Sequence, residues 1–519
     1  MPKVCRLASM VAVTLALLGV ARQAGATDLR VGTCRRDITP VSPGLADEYE
    51  TRFGVPAVVN HSDPIWMAGF GNGRSALDYH DRLWARGIVL DGKGGRLAIV
   101  TLDVVGYFAN EIATIRALVS PSSGVDYVVV TSTHQHQGPD TLGLWGPNEL
   151  VSGIDFQYLD FVNAAAADCI DDAAAHLVRG RVRLATTTSA GLSLGIDPED
   201  DGMGVADGKV LAGDPALAPD TGGRIVDPTL AVMQFTTRGA PHAVLATLVN
   251  FASHPESLGS SNRLITSDFP HAARERLELR YGGLAIWVSG DLGVLQGPLD
   301  IDVLDPTTNA PAPRRTFRFA EVHGTQLAER VIRALATAGQ GDPAPQLRFA
   351  SVNPVAVPLE NPFFRLLAAV GVLNTRRPLF TDGKPDSAVG AFLPPADFLP
   401  MALGEGIHTE VGALRIGRAG VALVPTELDP QIGFDYRSHL ASAEHTFIFG
   451  LANDHIGYQV PFAKWDPSCH VCAPYVILGI EEQCPVQPID CSTVFQNNVG
   501  QGVDPAISAA LVPLLDEVD

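Results

Sequence analysis

The segment DYVVVTSTHQHQGPD, residues 126–140, carries the strongest structural signal in this chain. The apolar and β-branched residues 127–130 predict a buried strand, which stops at a polar Thr-Ser-Thr run. His134 and His136 follow, and alternation along an extended segment would place both imidazoles on one face. A Gly-Pro pair then predicts a turn. Two imidazoles held in this way suit a zinc-type metal, and the alternative is a hydrogen-bonded loop.

Three further apolar segments run into polar side chains in the same way. They are ATLVNFASHPES (246–257) with His254, GVALVPTE (420–427) with Glu427, and FIFGLANDHIGY (447–458) with Asp454, His455 and Tyr458. Ligands and catalytic groups in sheet proteins come from loops at strand ends, which a rigid scaffold positions. Taken alone, each segment is consistent with a purely structural role. Together, the four segments predict one metal site assembled from distant parts of the chain.

Alternating strand and helix signals predict an α/β fold. Residues 96–103 have the pattern of a buried strand, residues 109–118 that of a helix, and residues 158–178 that of an alanine-rich helix. Residues 414–423 predict a hairpin that leads to Glu427. We therefore expect a single large catalytic domain with a mixed, partly parallel sheet flanked by helices.

Size and charge limit the function. A chain of 519 residues with 46% hydrophobic content can bury a large core. The formal net charge of −20 argues against binding to nucleic acid, which requires basic surface, and against electrostatic docking on anionic lipid. No linker-like segment divides the sequence, so we expect one catalytic domain over residues 27–519. A small-molecule or lipid substrate fits these features, and we infer no obligate protein partner.

The N-terminal 26 residues have the pattern of a secretory signal peptide. A basic start precedes a short apolar stretch and small residues that end at Ala26, where we expect cleavage. The apolar stretch is too short to span a bilayer, and no later segment is long enough. The sequence therefore predicts a secreted or periplasmic protein.

Six cysteines follow the predicted cleavage site. Two are isolated, Cys34 and Cys169, and four lie in a cysteine-rich loop, Cys469, Cys472, Cys484 and Cys491. An even count in an exported protein favours disulfides. We expect two disulfides within the loop at residues 469–491, and a structural zinc site is the alternative.

The chain resembles the neutral (non-lysosomal) ceramidase family in the order and spacing of short motifs. These are DITP (37–40), MAGFG (67–71), HDRLWARGIVL (80–90), THQHQGP (133–139), NFASHPE (250–256), SGD (289–291), VPTE (424–427) and GLANDHIGY (450–458). The resemblance implies one zinc ion per chain, with the ligands His134, His254, Glu427 and Tyr458. It also implies that His136 lies at the reaction centre.

The resemblance implies hydrolysis of the amide bond of a ceramide-like N-acyl lipid. Metal-bound hydroxide, which zinc makes available near neutral pH, would attack the carbonyl. His136 would donate a hydrogen bond to the oxyanion or a proton to the leaving amine. A tyrosinate ligand is unusual, so Asp454 or His455 could replace Tyr458. Four residues could contact the ligands without binding the metal themselves: Asp103, Asp291, Asp454 and His455. An ordinary cap or turn also explains Asp103.

Three features depart from the ceramidases. Gly293 stands where they carry a serine in a loop that contacts substrate. The run after His136 is Gln-Gly-Pro-Asp-Thr rather than Ser-Gly-Pro-Gly-Gly. We also expect no counterpart of their C-terminal immunoglobulin-like domain after the catalytic domain. The resemblance therefore transfers the metal site, but it does not transfer the sphingolipid substrate.

Other interpretations stay open at this point. The enzyme could cleave esters or other N-acyl amides. A serine esterase could use Ser193 in GLSLG (191–195), although a nucleophile elbow needs a helix directly after the serine. A binding protein could retain a structural metal. The apolar segment 361–373 could line an acyl groove or touch a lipid surface, and a plain buried helix is the alternative.

Overall fold

Two large β-sheets with helices on their outer faces organise the chain. A computed structural model describes residues 28–193, 226–293, 296–385, 405–465, 483–485 and 497–519. The strands are β1 (Arg30–Asp37), β2 (Asp78–Tyr79), β3 (Trp84–Gly92), β4 (Gly95–Leu102), β5 (Tyr127–Ser132), β6 (Val178–Thr188), β7 (Thr229–Thr237), β8 (Val244–Phe251), β9 (Leu264–Ile265), β10 (Leu284–Ser289), β11 (Leu304–Asp305), β12 (Ala310–Pro311), β13 (Leu347–Pro358), β14 (Phe380–Thr381), β15 (Lys384–Pro385), β16 (Gly406–Ile416), β17 (Ala419–Leu423), β18 (Glu427–Leu428), β19 (His445–Phe449) and β20 (Tyr458–Gln459). The helices are α1 (Ala46–Phe53), α2 (Ala109–Leu118), α3 (Phe156–Ala175), α4 (Phe269–Tyr281), α5 (Phe317–Thr337), α6 (Pro362–Ala369), α7 (Pro430–Ser438) and α8 (Val503–Val518).

The first sheet has the strand order β10-β8-β7-β6-β1-β3-β4-β5. The second has the order β15-β14-β16-β17-β19, and β13 also pairs with β16. Three pairs in these sheets are parallel, β4 with β5, β8 with β10 and β17 with β19. A helix lies in the connection of each parallel pair, α2, α4 and α7 respectively, because parallel neighbours need a crossover. This architecture confirms the predicted mixed, partly parallel α/β fold.

Successive residues of a strand face different layers. Val129 of β5 lies in the apolar core between the two sheets, with Val421 and Phe447 of the second sheet. Its neighbours Val128 and Val130 face the core beneath α2 and α3. Side chains alternate along a strand, so one strand supports two cores. Helices α4 and α5 cover the other half of the first sheet, and α6, α7 and α8 cover the second sheet. The result is four layers, helix–sheet–sheet–helix.

The second sheet is the main feature that the sequence did not predict. The segment 414–423 does form a hairpin, from β16 and β17. Its partners β13 and β19, however, come from distant parts of the chain, which local periodicity cannot reveal. Smaller differences concern element ends. Helix α3 stops at Ala175 rather than at residue 178, because Val178 begins β6 and pairs with Val31.

A disulfide joins Cys34 of β1 to Cys169 of α3. It ties the first sheet to the helix that covers it. Cys484 is also disulfide-bonded, while Cys469, Cys472 and Cys491 lie outside the described residues. The predicted signal peptide, residues 1–26, lies outside them as well. Among the described residues, no helix combines the length and apolar character that a membrane span requires.

We predict that replacing both Cys34 and Cys169 by alanine lowers the stability of the folded chain. The disulfide closes a loop with a sequence separation of 135 residues. By loop-closure entropy, its loss should cost about 2–5 kcal/mol of unfolding free energy. Urea unfolding of the double variant and the wild type, both under non-reducing conditions, measures the difference. An unchanged denaturation midpoint would contradict a stabilising role.

Candidate functional site

The four polar segments meet at one edge of the two packed sheets. His134 follows β5 and His254 follows β8, both in the first sheet. Glu427 begins β18 shortly after β17 of the second sheet, and His455 follows β19. Strand β18 pairs in parallel with β20, which places Tyr458 directly beside Glu427. The strand ends therefore bring together residues that are more than 300 positions apart in the sequence.

Glu427 is the centre of this cluster. Its Oε2 lies 3.1 Å from His254 Nε2 and 3.3 Å from His134 Nε2, and its Oε1 lies 3.1 Å from His455 Nε2. The Tyr458 hydroxyl lies 3.5 Å from His254 Nε2. All these side chains are buried. One carboxylate thus gathers three imidazoles from both sheets.

His136 joins the cluster through His134. The Nε2 atoms of the two imidazoles are 3.4 Å apart, so the residues meet as the sequence predicts. The reason differs from the predicted alternation, because β5 ends at Ser132 and His134 has a positive φ of 62°. A left-handed residue at the strand end, rather than continued extension, turns both rings towards Glu427.

Backbone carbonyls fix the ring orientation of two histidines. His134 Nδ1 lies 2.5 Å from the carbonyl oxygen of Val105, and His254 Nδ1 lies 2.9 Å from that of Gln296. A carbonyl oxygen only accepts, so each Nδ1 carries a proton, and Nε2 is the nitrogen of each ring that faces the cluster. Metal-binding histidines are typically held in this way. Sequence analysis missed Val105 and Gln296, since backbone acceptors carry no residue signature.

The cluster contains the ligand atoms of a candidate metal site. Two groups of three side chains have ligand atoms within 4.8 Å of one another: His134, His136 and His254, and His134, Glu427 and His455. Burial disfavours the ionised form of Glu427, but the charge of His134 and hydrogen bonds from the histidines hold its pKa well below its usual value. A buried, ionised carboxylate beside several imidazole nitrogens is a set of ligand atoms that fits a divalent cation.

Burial also perturbs the neighbours of Glu427. It lowers the pKa of His136 well below its usual value, an effect that His134 and His254 reinforce. It raises the pKa of Tyr458 well above its usual value, with the charge of Glu427 acting in the same direction. Burial and nearby carboxylates raise the pKa of Glu256 to about 7. Strongly perturbed groups in one cleft are typical of a functional site.

The supporting aspartates lie at different distances from the cluster. Asp454 accepts hydrogen bonds from the backbone N–H of His455 at 2.8 Å and from Arg377 at 2.5 and 2.7 Å, so it steadies the segment that carries His455. Asp103 forms a bidentate ion pair with Arg274, at 2.8 and 2.9 Å. Its backbone carbonyl accepts a hydrogen bond from Gln135, between the two histidines.

Asp291 belongs to another buried group. It lies beside Asp227, and both carboxylates face Arg437 of α7. Burial and the charge of Asp227 raise the pKa of Asp291 well above its usual value. This group contacts Arg437 near the end of α7 rather than the ring of a candidate ligand.

An apolar cavity of about 500 Å³ opens beside the cluster. Polar groups at one part of its wall include His134, His136, Glu256, Glu427 and Tyr458. The remaining wall is mainly apolar and includes Phe108, Leu142, Leu144, Leu359, Phe364, Leu373, Leu379, Ile407, Ile456 and Val499. A largely apolar pocket with a few convergent polar groups is the usual form of a ligand site. Segment 361–373 contributes to it through Phe364 and Leu373.

Two residues that the sequence singled out do not enter the cavity wall. Ser193 is buried, and its hydroxyl accepts a hydrogen bond from Gln296 Nε2 at 3.0 Å. Gly293 packs tightly against the chain next to Glu427. A Cβ atom built on it would lie 2.5 Å from the carbonyl carbon and oxygen of Leu428. The backbone as it stands therefore has no room for a side chain at position 293.

Comparison with known proteins finds sequence relatives over about half of the chain. No protein-family model matches the sequence. Neutral ceramidase of Drosophila pseudoobscura pseudoobscura is 26% identical over 273 residues, which are 51% of this chain and 34% of that protein. Neutral ceramidase of Drosophila melanogaster is 26% identical over 258 residues, which are 49% of this chain and 32% of that protein.

Solved structures extend the likeness to most of the chain. The crystal structure of neutral ceramidase from Pseudomonas aeruginosa has a TM-score of 0.60 and 18% identity, over 93% of this chain and 74% of that one. A ceramidase complexed with C2 has a TM-score of 0.59 and 16% identity, over 93% of this chain and 75% of that one. The chain is therefore similar in sequence to neutral ceramidases over about half of its length and shares their fold. In this neutral ceramidase-like chain the buried His/Glu group is a candidate metal site, and the resemblance seen in the motifs is confirmed.

We predict that single alanine substitutions of His134, His254 and Glu427 lower the metal content of the purified chain. Each removes a donor from the cluster, so metal affinity should fall by more than the roughly 10–100-fold typical of an outer hydrogen-bond partner. Elemental analysis after dialysis measures this. His176→Ala, on a solvent-exposed histidine, is the matched control. Full occupancy in all three variants would contradict the assignment.

Proposed function

We propose that the chain is a zinc-dependent amidohydrolase that cleaves the amide bond of ceramide-like N-acyl lipids. The observation that carries this proposal is the convergence of four imidazoles, one carboxylate and one phenol beside an apolar cavity. The neutral ceramidases named above support the substrate class. The matched region spans about a third of the length of the curated relatives, 34% and 32%. Activity and substrate are therefore part of the proposal.

The donor set suits zinc. Histidine nitrogen and carboxylate oxygen are its usual ligands beside cysteine. His134, His254 and Glu427 would hold the ion, with Tyr458 or His455 as the fourth ligand. When bound, zinc would polarise a carbonyl group and lower the pKa of a water molecule to about 7.

His136 is the group that we assign to proton transfer. Its low pKa keeps the imidazole neutral near pH 7, so one ring nitrogen carries a proton and the other offers a lone pair. Its Nε2 faces the cluster, where it can take a proton from the attacking water and pass it to the leaving nitrogen. A protonated Nε2 can also donate a hydrogen bond to the developing oxyanion.

The apolar wall would receive the acyl chain. Leu144, Phe364, Leu373 and Ile456 lie on the same cavity as His136 and Glu427, so a bound chain would lead its carbonyl group to the cluster. Burial of apolar area drives such binding at about 25 cal/mol per Å². Leu366 and Val370 on the same segment are exposed by 44% and 48%, and we propose them as the contact with a lipid surface. Export through the N-terminal 26 residues is also part of the proposal.

A second candidate, a less selective hydrolase of N-acyl amides or esters, is favoured by position 293. Gly293 offers no hydroxyl to a substrate, and its close contact with Leu428 leaves no space for one. A site without a hydroxyl-binding group discriminates weakly between substrates that differ in a hydroxyl.

We predict a weak preference for ceramide over a matched N-acyl amine that lacks the sphingoid hydroxyls. The value of kcat/KM for the two substrates, measured with metal-loaded enzyme, tests this. A ratio within about tenfold fits a site that does not bind those hydroxyls. A ratio of about a thousandfold or more would exclude the second candidate and support a dedicated ceramidase.

We predict that His136→Ala lowers kcat by about 10²–10⁴-fold, the usual range for an acid–base group, and leaves the metal content unchanged. His439→Ala is the matched control, since that histidine contacts Asp516 at the surface. Steady-state kinetics and elemental analysis on the same preparations provide both measurements. Loss of metal together with activity would reassign His136 as a ligand, and wild-type kcat would remove it from the mechanism.

A further inference from the structure

Glu256 is a buried carboxylate beside the candidate proton-transfer group. It follows His254 by two residues, is 8% exposed and lies on the cavity wall. Its Oε2 lies 3.6 Å from Nδ1 of His136. In the described part of the chain, that Nδ1 atom is buried and has no hydrogen-bond partner. A buried polar atom without a partner is costly, and Glu256 offers the facing acceptor.

Apolar contacts fix the orientation of the His136 ring, and Glu256 is the polar group that faces its Nδ1 atom. A Cβ atom on Gly69, which has a φ of 95°, would lie 2.2 Å from His136 Cγ, so the ring packs directly on the glycine backbone. The Phe70 ring meets the imidazole edge-on, with centroids 5.2 Å apart. These contacts are apolar. They hold the plane of the ring without choosing which nitrogen carries the proton.

The backbone ties the two side chains into one unit. The N–H of His136 donates to the carbonyl oxygen of Pro255 at 3.2 Å, directly before Glu256. The carbonyl oxygen of His136 accepts from the buried guanidinium of Arg74 at 2.5 Å. The distance of 3.6 Å between Glu256 Oε2 and His136 Nδ1 is about 0.4 Å longer than the upper end of the usual hydrogen-bond range, so a movement of that size would form the bond.

We propose that Glu256 is a positioning residue for His136: its carboxylate accepts a hydrogen bond from Nδ1–H and so presents the lone pair of Nε2 to the cluster. This inference deepens the proposed function and rests on it for the role of His136. Carboxylates orient catalytic and metal-binding imidazoles in this way in other enzymes. Through the reaction the Nδ1 proton stays on the ring, while Nε2 takes a proton from water and gives it to the leaving nitrogen.

A double-mutant cycle tests whether Glu256 acts through His136. In the wild-type background, Glu256→Ala should lower kcat by about 10–100-fold, with KM and metal content little changed. Glu256→Gln should recover part of this loss, because its amide oxygen still accepts a hydrogen bond. In the His136→Ala background, Glu256→Ala should cost nothing further. Asp300→Asn is the matched control, since Asp300 adds negative charge near Glu256 but pairs with Arg314.

The tautomer of His136 gives a readout that does not need activity. In ¹⁵N-histidine NMR spectra, the signal that His136→Ala removes should show the Nδ1–H form in the wild type and should change in Glu256→Ala. An Nε2–H tautomer in the wild type would overturn the inference, because a protonated Glu256 would then be the donor. Equal losses in both backgrounds of the cycle, or loss of metal in Glu256→Gln, would also overturn it. If no amide or ester is cleaved but the tautomer is as expected, the proposed function fails and the Glu256–His136 contact stands.

Discussion

The buried carboxylate of Glu427 is the constraint on which the site depends. A charge removed from water is costly unless donors surround it. Here the donors are His134 and His254 from the first sheet and His455 from the second. His455 is 28 residues from Glu427 in the sequence, and the other two histidines are much farther away. The carboxylate is therefore satisfied only when the two sheets pack in one register.

Two buried asparagines set that register. Asn250 of β8 donates to the carbonyl oxygen of Ile448 at 2.7 Å and accepts from its N–H at 3.2 Å, which joins β8 to β19. Asn453 exchanges hydrogen bonds with the backbone of Val130 in β5, at 2.8 and 3.1 Å. Asn250 lies four residues before His254, and Asn453 lies two before His455. The amides that fix the packing of the sheets thus stand next to the groups that form the site, and a slip between the sheets would misplace both.

Sequence reasoning could select the residues of the candidate site because each one follows a strand with a clear local pattern. The apolar run of residues 127–130 and the polar stop after it predict β5 and the position of His134 without any tertiary information. The same reasoning failed wherever a contact is distant. It predicted that strand alternation brings His134 and His136 together, whereas the positive φ of His134 does so. A positive φ at a strand end leaves no periodic pattern of apolar residues in the sequence. Sequence reasoning also missed Gln296, whose role is played by a backbone carbonyl, and the strands β13 and β19, which complete a sheet only through long-range pairing.

Position 293 shows how closely the packing of a loop and the geometry of the candidate site are linked. The N–H of Gly293 donates to the carbonyl oxygen of Leu428 at 2.8 Å, one residue after Glu427. A side chain there would push against Leu428 and Asp429, so it would displace the carboxylate that gathers the histidines. Substituting serine at this position would therefore disturb the candidate metal site itself. Any effect of the missing hydroxyl on specificity has to be tested by varying the substrate, because a substitution at residue 293 would also move Glu427.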